Sequence, residues 1–110
     1  MRAFVTATLE SAGGFEVVEA RNGFEALRLL PRGPYHLIIT DINMPDINGL
    51  EMIRYVRSSP QHRETPLLII STEGSDRDRE RGLALGASDY LVKPFDPATL
   101  VGVVRRLLGA

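Results

Sequence analysis

The sequence contains no cysteine and no apolar run long enough to span a membrane. Without cysteine there can be no disulfide, no thiolate metal site and no cysteine nucleophile. A membrane-spanning helix needs about 20 consecutive apolar residues, and the amino terminus also lacks a basic segment followed by a long apolar one. These absences predict a cytoplasmic protein with no membrane partner.

An excess of charge of one sign is also lacking. Lysine and arginine total 13 against 14 acidic residues, a formal net charge of -1, so we expect no direct binding to nucleic acid. A Gly-rich phosphate loop of the form GxxxxGK[ST] is absent too, which argues against nucleotide chemistry. What remains is ordinary for a globular protein: 110 residues, 44% hydrophobic and 25% charged. Residues 1–110 are therefore predicted to form a single domain.

Short apolar runs alternate with segments of helical periodicity. The runs lie at 15–20, 36–40, 66–71 and 89–94, and the last three are nearly continuous, as expected for parallel strands buried on both faces. Helix start signals stand between or after the runs: Asn22 with Glu25, Asn48 with Glu51, Ser75 with Asp78, and Asp96 followed by Pro97. The predicted order is a helix, then strand and helix four times, an α/β domain with helices on both faces of a parallel sheet. Unusually for such a chain, residues 1–14 begin in a helical pattern and not in a strand.

Polar side chains follow the predicted strands where functional groups gather in an open parallel sheet. Asp41 ends the second run, Ser71 and Thr72 the third, and Lys93 the fourth. A carboxylate can attack a phosphoryl group and form an aspartyl phosphate, and a cation and hydrogen-bond donors then stabilise the phosphoryl oxygens. Lys93 and a hydroxyl are suited to that task, although the sequence leaves open which of Ser71 and Thr72 faces the site. Taken alone, Asp41 would fit a solvated strand-end carboxylate equally well.

Three motifs in the same order resemble those of response-regulator receiver domains of the single-domain, chemotaxis (CheY-like) type. They are LIITDINMPDINGLE at 37–51, LLIIST at 67–72 and GASDYLVKPF at 86–95. The resemblance implies a flavodoxin-like, doubly wound parallel sheet, Mg²⁺ at the site, a sensor histidine kinase as phosphodonor, and a downstream protein that binds the surface of residues 75–108. It assigns the residues as follows: Asp41 as phosphoacceptor, Lys93 as its conserved-type lysine, Ser71 or Thr72 as the switch hydroxyl, and Tyr90 as the switch aromatic.

The sequence departs from this family in one respect. Receiver domains carry a pair of acids at the end of a first strand, and these hold the metal; residues 1–14 contain only Glu10, within the helical pattern. We therefore expect a receiver fold truncated at the amino terminus by about one strand, and weak Mg²⁺ binding through Asp41 and the backbone carbonyl of Asn43. The strand at 36–40 would then lie beside an open edge, which favours a homodimer.

The resemblance also predicts a cis Lys93–Pro94 bond, and it leaves two alternatives to phosphorylation on Asp41. One is a receiver-like protein-interaction module that is not phosphorylated, because the acidic pair is missing. The other is a hydrolase with an aspartate nucleophile, which is disfavoured because Asn43 stands where such phosphatases place a second aspartate. A signalling module and not an enzyme is the main prediction.

Overall fold

Helices and strands alternate along most of the chain. The structure is a computed structural model that describes residues 2–41, 47, 49–71 and 76–109, with side chains for all of these except 76–78. No helix in these ranges is long and apolar enough to cross a membrane. In chain order the elements are α1 (Arg2–Ala12), α2 (Gly23–Leu29), a 3₁₀ turn (Leu30–Arg32), β1 (Ile38–Asp41), α3 (Gly49–Ser58), β2 (Leu67–Ser71), α4 (Asp76–Leu85), β3 (Asp89–Val92) and α5 (Pro97–Leu108).

The sheet of the described residues is parallel and has the order β1-β2-β3. Every residue of β2 is buried. Leu67 and Ile69 belong to one apolar cluster, whereas Leu68 and Ile70 belong to another. Because side chains alternate across a strand, the two clusters lie on opposite faces of the sheet. This confirms the predicted parallel strands buried on both faces.

Helices cover both faces. On one face, α1 and α5 bury Leu9, Leu100 and Val104 against β2, and on the other α3 buries Ile53 and Val56. Burying each of these side chains contributes roughly 1.5–3 kcal/mol, so the two clusters hold the layers together. The architecture is the predicted α/β fold.

Gly82 determines how closely α4 approaches the sheet. A Cβ atom at this position would lie 2.6 Å from Cδ1 of Ile69. Glycine has a low helix propensity, so this residue does not favour the helix by itself. In the structure the absence of a side chain matters for packing, because a larger residue between α4 and β2 would force the Ile69 side chain to shift.

Two of the predicted helix caps are formed. The Asn22 side chain accepts a hydrogen bond from the Glu25 backbone N–H at 2.8 Å, and Asp96 accepts one from Thr99 at the same distance. Both satisfy a backbone donor in the first helical turn that would otherwise lack a partner. The caps predicted at Asn48 and Ser75 lie outside the described residues.

The prediction of a strand at 15–20 is wrong. This segment carries no strand assignment, although Phe15 and Val17 pack against the apolar cluster of α1 and α5 while Val18 is 55% exposed. The side-chain alternation typical of a strand is therefore present. A strand also needs a neighbouring backbone as hydrogen-bond partner, and none of the sheet residues pairs with this segment. Arg2 holds the segment to α1 instead, through Glu19 at 3.1 Å and the Ala20 carbonyl at 3.1 Å.

Candidate functional site

The register of the sheet brings the predicted site residues to one edge. Asp41 is the last residue of β1 and lies opposite Ile70, so Ser71 is one step further along β2. Ser71 lies opposite Val92, so Lys93 directly follows β3. The carboxyl ends of all three strands therefore carry a polar residue at adjacent positions, as the sequence predicted.

Asp41 and Lys93 form an ion pair. The Lys93 Nζ donates to Asp41 Oδ2 at 2.6 Å. The lysine side chain is 12% exposed and the aspartate side chain 32%, so the pair is partly shielded while the carboxylate stays open to solvent on one side. A charge-assisted hydrogen bond of this length fixes both groups, yet leaves the carboxylate accessible to a reactant from solution.

Ser71 anchors the backbone of Lys93. The Ser71 carbonyl accepts a hydrogen bond from the Lys93 backbone N–H at 2.7 Å, and the serine is 1% exposed. No buried side-chain nitrogen or oxygen of the described residues lacks a hydrogen-bond partner, so this hydroxyl is satisfied. The other predicted hydroxyl, Thr72, and the predicted metal-binding carbonyl of Asn43 lie outside the part of the chain that the structure describes.

Tyr90 lies within β3 and is half-buried. It lies opposite Ile69 and packs against the apolar cluster that includes α3. Packing against the core is enough to explain an aromatic residue at this position of the strand. Its predicted role as a switch stays a prediction.

The chain leaves β3 through a cis Lys93–Pro94 bond, as predicted. Phe95 follows and packs against the apolar cluster shared by α1 and α5. Its ring meets that of Phe4 in α1 edge to face, with the centroids 5.8 Å apart. The segment after Lys93 is thus held by side chains from the opposite end of the sequence.

The described residues do not by themselves make a magnesium site. They contain no group of three or more histidine, cysteine, aspartate or glutamate side chains that could hold a metal ion. Asp41 is the one predicted carboxylate ligand, and the Lys93 ammonium already binds one of its oxygens. Mg²⁺ needs near-octahedral oxygen coordination, which one ion-paired carboxylate cannot supply.

Sequence reasoning missed a second polar cluster, at the amino ends of the strands. The Arg57 guanidinium donates to the carbonyls of Gly86, His62, Arg63 and Thr65, at 2.6–3.1 Å. Burial lowers the pKa of this guanidinium from its ordinary value. Because the acceptors are backbone carbonyls, which every residue type carries, nothing in the sequence marked Arg57 as different from the other arginines.

His62 is fully buried within the same cluster. Its Nε2 lies 3.0 Å from the Leu30 carbonyl, its Nδ1 lies 3.1 Å from the Thr65 hydroxyl, and its ring stacks on Tyr35. Because a carbonyl can only accept, Nε2 carries the proton in this arrangement. These contacts make His62 a structural residue of the fold.

Comparison with known proteins agrees with the motifs. The family model for the response regulator receiver domain matches residues 1–105. The chain belongs to the response-regulator receiver family. It is 36% identical over 110 residues to a chemotaxis protein CheY homolog of Campylobacter jejuni, covering 99% of this chain and 85% of the relative.

Solved receiver structures share the fold. The Vibrio cholerae chemotaxis protein CheY4 superposes with a TM-score of 0.90 at 40% identity, covering 96% of this chain and 88% of that one. The receiver domain of the sensor histidine kinase PA1611 from Pseudomonas aeruginosa superposes with a TM-score of 0.88 at 30% identity, covering 98% of this chain and 88% of that one, and has a magnesium ion coordinated in its active-site cleft. This chain is therefore a CheY-like receiver domain of two-component signalling with the flavodoxin-like fold.

Proposed function

We propose that this receiver domain accepts a phosphoryl group on Asp41 from the phosphohistidine of a sensor histidine kinase. The observation that carries the proposal is the 2.6 Å contact between Lys93 Nζ and Asp41 Oδ2 at the carboxyl edge of the sheet. An ammonium at that distance is placed to meet the charge that a phosphoryl group would bring. The solvent-open side of the carboxylate leaves room for the phosphodonor.

The transfer is a nucleophilic displacement at phosphorus. A carboxylate oxygen of Asp41 forms the new P–O bond while the P–N bond of the phosphohistidine breaks, and the electron pair of that bond returns to the imidazole, which takes up a proton. Lys93 then donates to a phosphoryl oxygen in place of the carboxylate oxygen it now contacts. We assign Ser71, or Thr72, to the hydroxyl that responds to the phosphoryl group, and Tyr90 to the aromatic switch.

The change is read by a protein partner and not through catalysis by this domain. We place the partner on the surface of residues 75–108, where Leu83 and Val92 are large apolar side chains exposed by 40% and 38%. Exposed apolar groups on a polar surface favour a protein contact. Nucleic acid and membrane are not proposed as direct partners, because the net charge of -1 gives no attraction to either.

A second candidate is an interaction module of the same fold that is not phosphorylated. The observation that favours it is the lack, among the described residues, of an acidic cluster able to hold a metal. In that case Lys93 and Asp41 are a fixed ion pair, and binding of the partner does not depend on a phosphodonor.

Mass spectrometry after incubation with acetyl phosphate and Mg²⁺ separates the two. Phosphoryl acceptance predicts a gain of one phosphoryl group that disappears in Asp41→Asn and persists in Asp89→Asn, a control whose carboxylate pairs with Arg106 elsewhere on β3. No gain in the wild-type chain, at any donor concentration that phosphorylates a CheY relative in parallel, would leave the interaction module as the function.

We also propose a homodimer through β1, which lies at an edge of the described sheet. Edge strands with apolar side chains are templates for pairing with another chain. Light scattering at micromolar concentration tests it, and a clean monomer with cooperative unfolding would rule the dimer out.

A further inference from the structure

Phe4 of α1 reaches across to the segment that carries Lys93. Its ring meets that of Phe95 edge to face, with an interplanar angle of 64° and centroids 5.8 Å apart. Phe95 is two residues after Lys93 and packs into the apolar cluster of α1 and α5. An aromatic pair in this orientation contributes beyond the apolar area that it buries.

Lys93 is held on both sides along the chain. On its amino side the backbone N–H bonds the Ser71 carbonyl of β2 at 2.7 Å. On its carboxyl side the chain passes through Pro94 to Phe95, whose ring is fixed between the apolar cluster and Phe4. Both anchors flank the residue whose side chain approaches Asp41 at 2.6 Å.

A role for Phe4 in burial alone does not account for this placement. Phe4 is 39% exposed, whereas Val5 and Leu9 of the same helix are 9% and 5% exposed and supply the contacts of α1 to the core. Phe4 is therefore less buried than the residues through which α1 contacts the core, and its ring contact is with Phe95. What Phe4 adds is an aromatic contact to the segment that follows β3.

We propose that Phe4 is a positioning residue for Lys93. It touches neither Asp41 nor a phosphoryl group; it fixes Phe95, and Phe95 fixes the turn from which the lysine reaches the carboxylate. Functional groups must be held within about 0.5 Å of their working geometry by such supporting contacts. The role of Lys93 in phosphoryl transfer rests on the function proposed above, but its position beside Asp41 does not.

The chemistry of the chain offers a direct measurement, because Lys93 is the only lysine in the sequence. Its acylation by sulfosuccinimidyl acetate under native conditions can be followed by peptide mass spectrometry without ambiguity. An ammonium held against a carboxylate reacts slowly. Phe4→Ala should raise the acylation rate of Lys93 roughly two- to tenfold, the range that corresponds to the loss of one aromatic pair.

Two variants control the experiment. Phe4→Tyr keeps the ring, and its hydroxyl can extend to solvent, so the acylation rate should return to the wild-type value. Val101→Ala removes apolar atoms from the groove of about 640 Å³ between α1 and α5, which Phe4 also lines, but it keeps both aromatic rings and should leave the rate unchanged. Circular dichroism checks whether Phe4→Ala is folded. If it is not, Phe4→Leu takes its place, because leucine keeps apolar area but has no ring, and the acylation rate of Lys93 should increase by the same factor.

Two results would overturn the proposal: an unchanged rate in the folded Phe4 variant, or an equal increase in Val101→Ala. Neither depends on phosphorylation. Failure of wild-type Asp41 to take up a phosphoryl group would refute the proposed function. The ratio of the Lys93 acylation rates in Phe4→Ala and the wild-type chain would still decide the role of Phe4. If both hold, Phe4→Ala should also slow phosphoryl uptake, and Phe4→Tyr should restore it.

Discussion

The polar side chains at the two ends of the sheet differ in their partners and in their exposure to solvent. At the amino ends of the strands, Arg57 and His62 are held by neutral groups, mostly backbone carbonyls, and His62 is completely buried. At the carboxyl ends, Asp41 and Lys93 oppose two full charges, and the carboxylate is about a third exposed. We call the amino ends of the strands, with Arg57 and His62, the closed end of the sheet, and the carboxyl ends, with Asp41 and Lys93, the open end.

The difference teaches which polar groups stabilise the fold and which are available for chemistry. The Arg57 guanidinium donates to four backbone carbonyls, three of them in part-buried contacts, so that cluster contributes to stability. A partly exposed ion pair contributes less, because solvent competes for its carboxylate. In the function proposed above, the same solvent access would give a phosphodonor its approach to Asp41.

The largest expected effect comes from Arg57→Ala. The substitution removes the donor to four carbonyls that lie between α3, the segment before β2 and the start of β3. We expect the free energy of unfolding to fall by roughly 2–4 kcal/mol, measured by urea denaturation. Arg54→Ala, an exposed arginine on the same helix, is the matched control and should change it by no more than about 0.5 kcal/mol. Equal effects of the two would show that the carbonyl contacts do not stabilise the fold.

His62→Phe tests the second member of the closed end. The ring and its stacking on Tyr35 can remain, but the Leu30 carbonyl loses the imidazole donor. The Gly33 backbone N–H still donates to that carbonyl, but the substitution removes both hydrogen bonds of the buried imidazole, to the Leu30 carbonyl and the Thr65 hydroxyl. At about 0.5–1.5 kcal/mol for each bond, urea denaturation should show a loss of about 1–3 kcal/mol. His36→Phe, at an exposed position, should be nearly neutral. A stable His62→Phe variant would mean that ring packing, and not hydrogen bonding, explains the buried histidine.

Lys93→Met addresses the open end and should reverse the pattern. Stability should change by no more than about 1 kcal/mol, because the pair is partly solvated, while phosphoryl uptake by Asp41 should be lost. Arg106→Met is the control: it removes a cation that pairs with Asp89 of β3, and phosphoryl uptake should persist. The opposite result would contradict this prediction: a large loss of stability in Lys93→Met, with normal phosphoryl uptake by the molecules that remain folded.

Magnesium binding should also be weak at the open end. A calorimetric titration is expected to show much weaker binding than for a receiver domain with a full acidic cluster, because the described residues supply no such cluster. Asp41→Asn should weaken what binding there is. Tight binding by the wild-type chain would place further ligands outside the described residues.

The difference between the open and the closed end also explains which residues could be predicted from the sequence. Asp41 and Lys93 were predictable because each ends an apolar run, and parallel strands bring such ends together. The strand at 15–20 was predicted wrongly because the apolar pattern reports burial but not whether a backbone partner is present. The contacts of Arg57 and His62 could not be predicted, because their partners are mostly backbone carbonyls, which every residue type carries. Two of these carbonyls, those of Gly86 and Leu30, belong to residues 29 and 32 positions away.

The smallest expected effect concerns Asp96, which caps α5 just beyond the open end. The Thr99 backbone N–H that donates to its carboxylate lowers the pKa of Asp96 below the ordinary value of 3.8. A depressed pKa stabilises the folded state above the unfolded value, and this contribution is lost as the pH falls through the folded pKa. Asp96→Asn keeps a capping oxygen but does not titrate. The urea midpoint of the wild-type chain, relative to Asp96→Asn, should therefore be constant from pH 7 to about pH 5 and decline towards pH 3. Glu25, whose pKa is also lowered, is present in both chains and cancels in the difference. A wild-type advantage that grew on acidification would show that the cap is not the group that titrates.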